Sequence, residues 1–293
     1  MNRTGGKFAA TICALAIALP ISGHGEAAEA SGVVSLDVAE SLRLNTLSMT
    51  LSACRFSATG QPVHYEAMVR HHDLIREGMA LLRDGDPIND VRQVRAPGPV
   101  RALEEFGTAL QAVAPFVDYA ARGALPPAYL GHLNTTATVA ADEAGDVFAE
   151  VADVYALHRV TRYESATIKN IARLEEIVIE TATAHCLGET GIDAEAQRRL
   201  IEDRSAEFNE RLAWARAGYE TGFILEPADF VTASLTCVES SFLSMQAAIG
   251  TGADITAMIE IVDAAIAASH EALLAVEHQM TETVFDASAC SVS

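Results

Sequence analysis

Apolar residues recur along most of this chain at alternating intervals of four and three, the spacing that lines one narrow face of an α-helix packed in a bundle. The longest such run is Ile255, Ile259, Val262, Ile266, Ser269, Leu273, Val276 and Met280, with the small Ser269 as its one polar member. Val231, Leu235, Val238, Phe242, Met245 and Ile249 keep the same rhythm, as do Leu133, Ala137, Ala140, Ala144, Val147, Val151 and Val154. Leu103, Phe106, Leu110, Val113 and Val117 make a fourth face, which Pro115 is expected to kink. The period-two alternation that marks strands is almost absent, so the pattern predicts an all-α fold.

Glycine and proline fall between these faces, at Gly60-Gln61-Pro62, Gly85-Asp86-Pro87, Pro97-Gly98-Pro99, Gly123 before Pro126-Pro127, Gly188 to Gly191, Gly222 before Pro227, and Gly250 to Gly252. Proline just inside a helix start and glycine just past a helix end are the expected boundary signals. Only the stretch from Pro126 to Leu187 lacks a stop. One unbroken helix there is on the order of 90 Å long. The apolar face changes phase around Leu157 to Tyr163, however, which marks a hand-over from one bundle to another.

The two halves resemble each other. Ser52-Ala53-Cys54-Arg55-Phe56-Ser57-Ala58-Thr59-Gly60 is similar to Ala184-His185-Cys186-Leu187-Gly188-Glu189-Thr190-Gly191, at an offset of 132 at the cysteine and 131 at the glycine. Arg122-Gly123-Ala124 ahead of one long apolar face matches Thr251-Gly252-Ala253 ahead of another at 129. Three markers in order at nearly constant spacing predict two tandem four-helix bundle units from an internal duplication, 31–158 and 159–293.

Composition narrows the function classes. Half of the 293 residues are hydrophobic and 6% aromatic, too apolar for disorder. The net charge of −20 disfavours nucleic acid and anionic lipid as partners. Residues 1–30 read as a cleaved secretory signal: Arg3 and Lys7, an apolar run from Phe8 to Leu19, then Ala28-Glu29-Ala30. The expectation is a periplasmic or secreted protein with no membrane insertion after the leader is removed. Beyond the leader stand Cys54, Cys186, Cys237 and Cys290. Four cysteines in an exported chain suggest two disulfides among three connectivities, with buried free thiols as the alternative. Cys54–Cys186 with Cys237–Cys290 is the expected pairing, the first two occupying equivalent places that meet only if the units pack side by side.

Few residues point to chemistry. None of the histidines has a glutamate three residues upstream, the arrangement of a bundle di-iron site. Cys-x-x-Cys-His, His-Glu-x-x-His, Gly-x-Ser-x-Gly and phosphate-cradling glycine loops are likewise missing from the sequence. The reading is a non-enzymatic protein without cofactor or metal. His71-His72-Asp73 reads as a solvated face, His278 with Glu282 as a surface pair, and Trp214 as core or rim packing.

The opening helix, Glu40-Ser41-Leu42-Arg43-Leu44-Asn45-Thr46-Leu47-Ser48-Met49, resembles the signature helix of the type IV pilus methyl-accepting chemotaxis-transducer N-terminal domain, shared with nitrate/nitrite-sensing histidine kinases. That signature has Gly, two residues, Arg-Met, one residue and Ser; here the Gly is Glu40 and the Ser is Thr46. Asn170-Ile171-Ala172-Arg173 in the second copy and Gly85-Asp86-Pro87 after the second helix extend the likeness. The resemblance implies a periplasmic four-helix sensor whose signature arginine contributes to a small-anion site between subunits. Carried over, Arg43, Thr46 and Arg173 are the ligand-binding candidates, with Arg173 the weaker because Glu175 and Glu176 stand beside it. Glu40, three residues before Arg43, is placed to pair with it. The sequence holds no kinase or signalling domain, so sensing is expected to pass through an envelope protein partner. The other reading is a structural or adaptor protein of the envelope that binds no small molecule.

Overall fold

The computed structural model describes residues 31–281 except 90, 124 and 157–161. Eight α-helices run in sequence among them: α1 (Ser31–Thr59), α2 (Pro62–Asp84), α3 (Pro97–Ala120), α4 (Pro127–Ala156), α5 (Arg162–Glu189), α6 (Ala194–Ala217), α7 (Asp229–Gly250) and α8 (Ile255–Thr281). The fold is all-α. Prolines open α2, α3 and α4, where their missing N–H costs nothing, and the Asp193 side chain caps α6 by accepting from the Ala196 N–H. Pro115 lies inside α3, which runs on through it. The long stretch without a stop is two helices, α4 ending at Ala156 and α5 starting at Arg162. The expected split between 158 and 159, like the leader, lies outside the described residues.

Helices α1 to α4 pack in a ring of neighbours, α1 against α2 and α4, and α3 against α4 and α2; α5 to α8 repeat this with α5 against α6 and α8. The apolar faces read from the sequence point inward, with Phe106 and Leu133 fully buried in one set and Phe242 stacked 3.7 Å from Phe208 in the other. The duplication reaches individual hydrogen bonds. The Arg92 N–H donates to Ser35 Oγ, and the Leu225 N–H, in the corresponding connection, donates to Thr167 Oγ1. Asp86 with Val91 and Tyr219 with Ile224 form matching backbone bridges.

The two sets join through α1 and α5, which pack on each other. Cys54 and Cys186 are disulfide-bonded, 132 residues apart and with Cα atoms 6.2 Å apart, so equivalent cysteines do meet as expected. At the other end of the pair Arg43 meets Glu176, so the helices run parallel. Cys237 is also in a disulfide; Cys290, its expected partner, lies outside the described residues.

Candidate functional site

Because α1 and α5 are buried from several sides, polar residues on them meet polar residues of the other unit. Glu40 is buried, and burial first, then the neighbouring Glu176 carboxylate, pushes its pKa well above the ordinary value, against the pull of Arg43. The expected Arg43–Glu40 pair is replaced by a closer one: Arg43 Nε stands 2.8 Å from Glu176 Oε1, with Asp142 at 4.0 Å. Gly145 of α4 makes room for this guanidinium, since a Cβ there would stand 2.5 Å from Arg43 Nη1. Arg173 donates to Glu176, Glu180 and Glu207. Burial opposes its charge, but the bonds to Glu207 and Glu180 outweigh burial and hold its pKa above normal. Glu207 is pulled down to about 2, chiefly by its bond from Arg173. The recess of about 450 Å³ beside Arg43 is lined by four acidic and four basic side chains, with Glu176 answering both Arg43 and Arg173. Thr46 is fully buried and gives its hydroxyl to Leu42 O, away from that recess.

The register set by Cys54 and Cys186 pairs Arg43 with Glu175, not with Arg173 as the family likeness suggested. The duplication relates two clefts at the junction, at an offset of 132 between α1 and α5, 133 between α2 and α6 and 129 between α4 and α8. One lies between α1, α2 and α8 and has a volume of about 740 Å³; the other lies between α5, α6 and α4 and has about 170 Å³. Ser48, Leu51, Ser52 and Arg55 of α1 correspond to Glu180, Thr183, Ala184 and Leu187 of α5. His64, Ala67 and His71 of α2 correspond to Gln197, Leu200 and Arg204 of α6, and Asp263 and His270 of α8 to Asn134 and Ala141 of α4. The smaller cleft is closed by longer side chains and by ion pairs, Arg204 to Glu180 and Glu207 among them.

The larger cleft is differently made. Apolar Leu51, Val63, Ile259, Ile266 and Leu274 line most of it. Three buried residues among its lining carry a polar side-chain atom with no close hydrogen-bond partner: Arg55 Nη2, His64 Nε2 and Glu175 Oε2. Arg55 donates its other terminal nitrogen to Asp263 Oδ1 at 2.7 Å, and Glu175 Oε2 has His270 Nδ1 at 3.5 Å. Burial and the nearby Arg55 charge push the His64 pKa down, while the Glu175 carboxylate pushes that of His270 up. His71 does not sit on a solvated face: it turns into this cleft, its Nδ1 2.8 Å from Asn45 Oδ1, with burial and Arg70 lowering its pKa to about 4.

Burial raises the Glu175 pKa, and burial with the neighbouring Asp37 charge raises that of Glu277 to about 8. Groups raised in the folded state stabilise it fully below their unfolded values, near 4.5 for glutamate, and lose that contribution as pH climbs through the folded value. His270, also raised, acts in the same direction above 6.5. Melting temperature is therefore expected to fall between pH 6.5 and 8, with Glu277 alone contributing on the order of 2 kcal/mol at about 1.4 kcal/mol per pKa unit. Glu277→Gln should flatten that slope in thermal melts; an unchanged slope would place the titration elsewhere.

Trp214 packs at the rim, stacked on Tyr219 at 4.9 Å, and Glu282, expected beside His278, lies outside the described residues. Among the described residues no cluster of His, Cys, Asp and Glu could hold a metal ion, and no helix is long and apolar enough to cross a membrane. Sequence reading passed over Arg55, His64, Glu175 and His270. The signal was there as two seven-residue intervals, His64 to His71 and Asp263 to His270, each keeping one helix face. No family model matches the chain, and neither a curated protein nor a solved structure was found that matches it.

Proposed function

We infer that this chain is an exported, non-enzymatic binding protein of the sensory type, which takes a small molecule at the junction of its two units and acts through an envelope protein partner. The observation that carries this reading is the α1/α2/α8 cleft, with three buried residues that each carry a polar atom with no close hydrogen-bond partner. A buried polar group left unbonded costs about 1–3 kcal/mol, and a ligand that supplies the missing partners recovers that cost. An apolar cavity with a few convergent polar groups is the usual form of a small-molecule site. The Cys54–Cys186 disulfide supports export, since such bonds persist in oxidising compartments.

An anion held by Arg43 has to compete with Glu176 for its Nε, whereas Arg55 keeps Nη2 without a partner while Asp263 holds Nη1. A ligand that binds only the folded state raises its melting temperature. A thermal-shift screen of the mature chain against metabolites and small anions should yield hits that disappear in Ala67→Trp, which fills the larger cleft. Hits that survive Ala67→Trp but vanish in Arg43→Ala would move the site to the Arg43 recess. No hit at all would favour the adaptor reading.

A further inference from the structure

We propose that the α1/α2/α8 cleft binds an elongated zwitterion, a carboxylate at the Arg55–His64 end and an ammonium at the Glu175 end, joined by an apolar chain. This rests on the binding reading above and names its ligand class. The polar groups divide between the two ends of the cleft. Arg55 is bonded to Asp263 and lies close enough to His64 to depress its titration, so these three share one end. Glu175 and His270 share the other. Along α8 the step from Asp263 to His270 is seven residues, a rise of about 10 Å. The rest of the lining includes Leu51, Ala67, Ile266 and Ala267, which offer an aliphatic chain contact, beside the polar Ser48, Ser52, His71 and Glu271.

The chemistry of each end sets the polarity of the ligand. Arg55 Nη2 is a permanent donor without a partner while Nη1 is held by Asp263, and His64 Nε2 can donate in one tautomer. A carboxylate satisfies both. Glu175 Oε2 is an acceptor whose partner His270 stands at a long 3.5 Å, and an ammonium adds a second, closer donor. The chain's net charge of −20 repels a bare anion at long range and leaves a molecule of no net charge unaffected. A ligand with both charges meets both ends without opposing that field.

The test is calorimetric titration of the mature chain with ε-aminocaproate, caproate and hexylamine, each with thermal shift as a second readout. Aminocaproate is expected to bind at least tenfold tighter than either one-ended probe, the factor that one charged hydrogen bond contributes. Arg55→Gln should weaken aminocaproate and caproate and leave hexylamine unaffected. His64→Phe, which leaves the Arg55–Asp263 pair in place, repeats that test should Arg55→Gln fail to fold. Glu175→Gln should weaken aminocaproate and hexylamine alone. Equal affinity for the three probes, or variants that weaken all three alike, overturns the zwitterion. Screen hits that vanish in Ala67→Trp yet carry one charge or none also overturn it, while leaving the cleft as the binding site; no hit of any kind removes both.

Discussion

Replacement of Cys186 by serine is expected to lower the stability of the mature chain by about 5 kcal/mol, the chain-entropy value for opening a loop of this length. The bond with Cys54 closes a loop of 132 residues, so it restricts the unfolded chain more than a local bridge does. Its sulfurs join α1 to α5, the two helices that connect the units, so the loss falls first on their packing. Urea denaturation of wild type and Cys186→Ser, followed by circular dichroism, measures the difference. A fall below about 1 kcal/mol would mean that the unfolded chain keeps the two halves together without the bond.

Glu176→Ala carries the second large effect, a loss of about 3–5 kcal/mol. Its carboxylate stands 2.8 Å from Arg43 Nε and accepts from Arg173 Nη1 at 2.5 Å, and its side chain is 6% exposed. Truncation leaves Arg43 with only Asp142 at 4.0 Å and takes one of three carboxylates from Arg173. Glu195, which binds Arg198 and Arg199 at the surface, is the control, and Glu195→Ala should leave the denaturation midpoint nearly unmoved. Replacing Arg43 and Glu176 together by leucine should cost less than Glu176→Ala alone, because the desolvated charges leave as a pair. Equal losses for Glu176→Ala and Glu195→Ala would deny the buried pair its special cost.

The helices differ in how plainly the sequence announces them, and burial explains the difference. Helices α3, α4, α7 and α8 carry four-and-three apolar stripes that face the bundle interior, and all four stripes were legible. Helices α1 and α5 are covered on several sides, with Leu36, Met49, Ile171 and Ile177 inside and Glu40, Glu175 and Glu176 buried too. Their pattern has no single period, and only the repeated cysteine segment betrayed their kinship. The anion candidates were legible as arginines, but their partners were not: Glu176 answers Arg43 from 133 residues away, a contact set by tertiary packing. The larger cleft was hidden for the same reason, since α1, α2 and α8 each supply part of it.

The parallel pairing of α1 with α5 imitates a dimer made within one polypeptide. When two identical chains meet about a two-fold axis, a residue on the axis faces itself, and an arginine there faces another arginine. Such a contact is repulsive until an anion from solution enters to relieve it. Here each half is encoded by its own stretch of gene, so the position matching Arg43 is free to become Glu175, and its neighbour Glu176 supplies the opposite charge. The fused pair thus carries its own counter-ion. One side of the junction is thereby self-sufficient, and inheritance is at liberty to change the other side without imposing the same change on its twin.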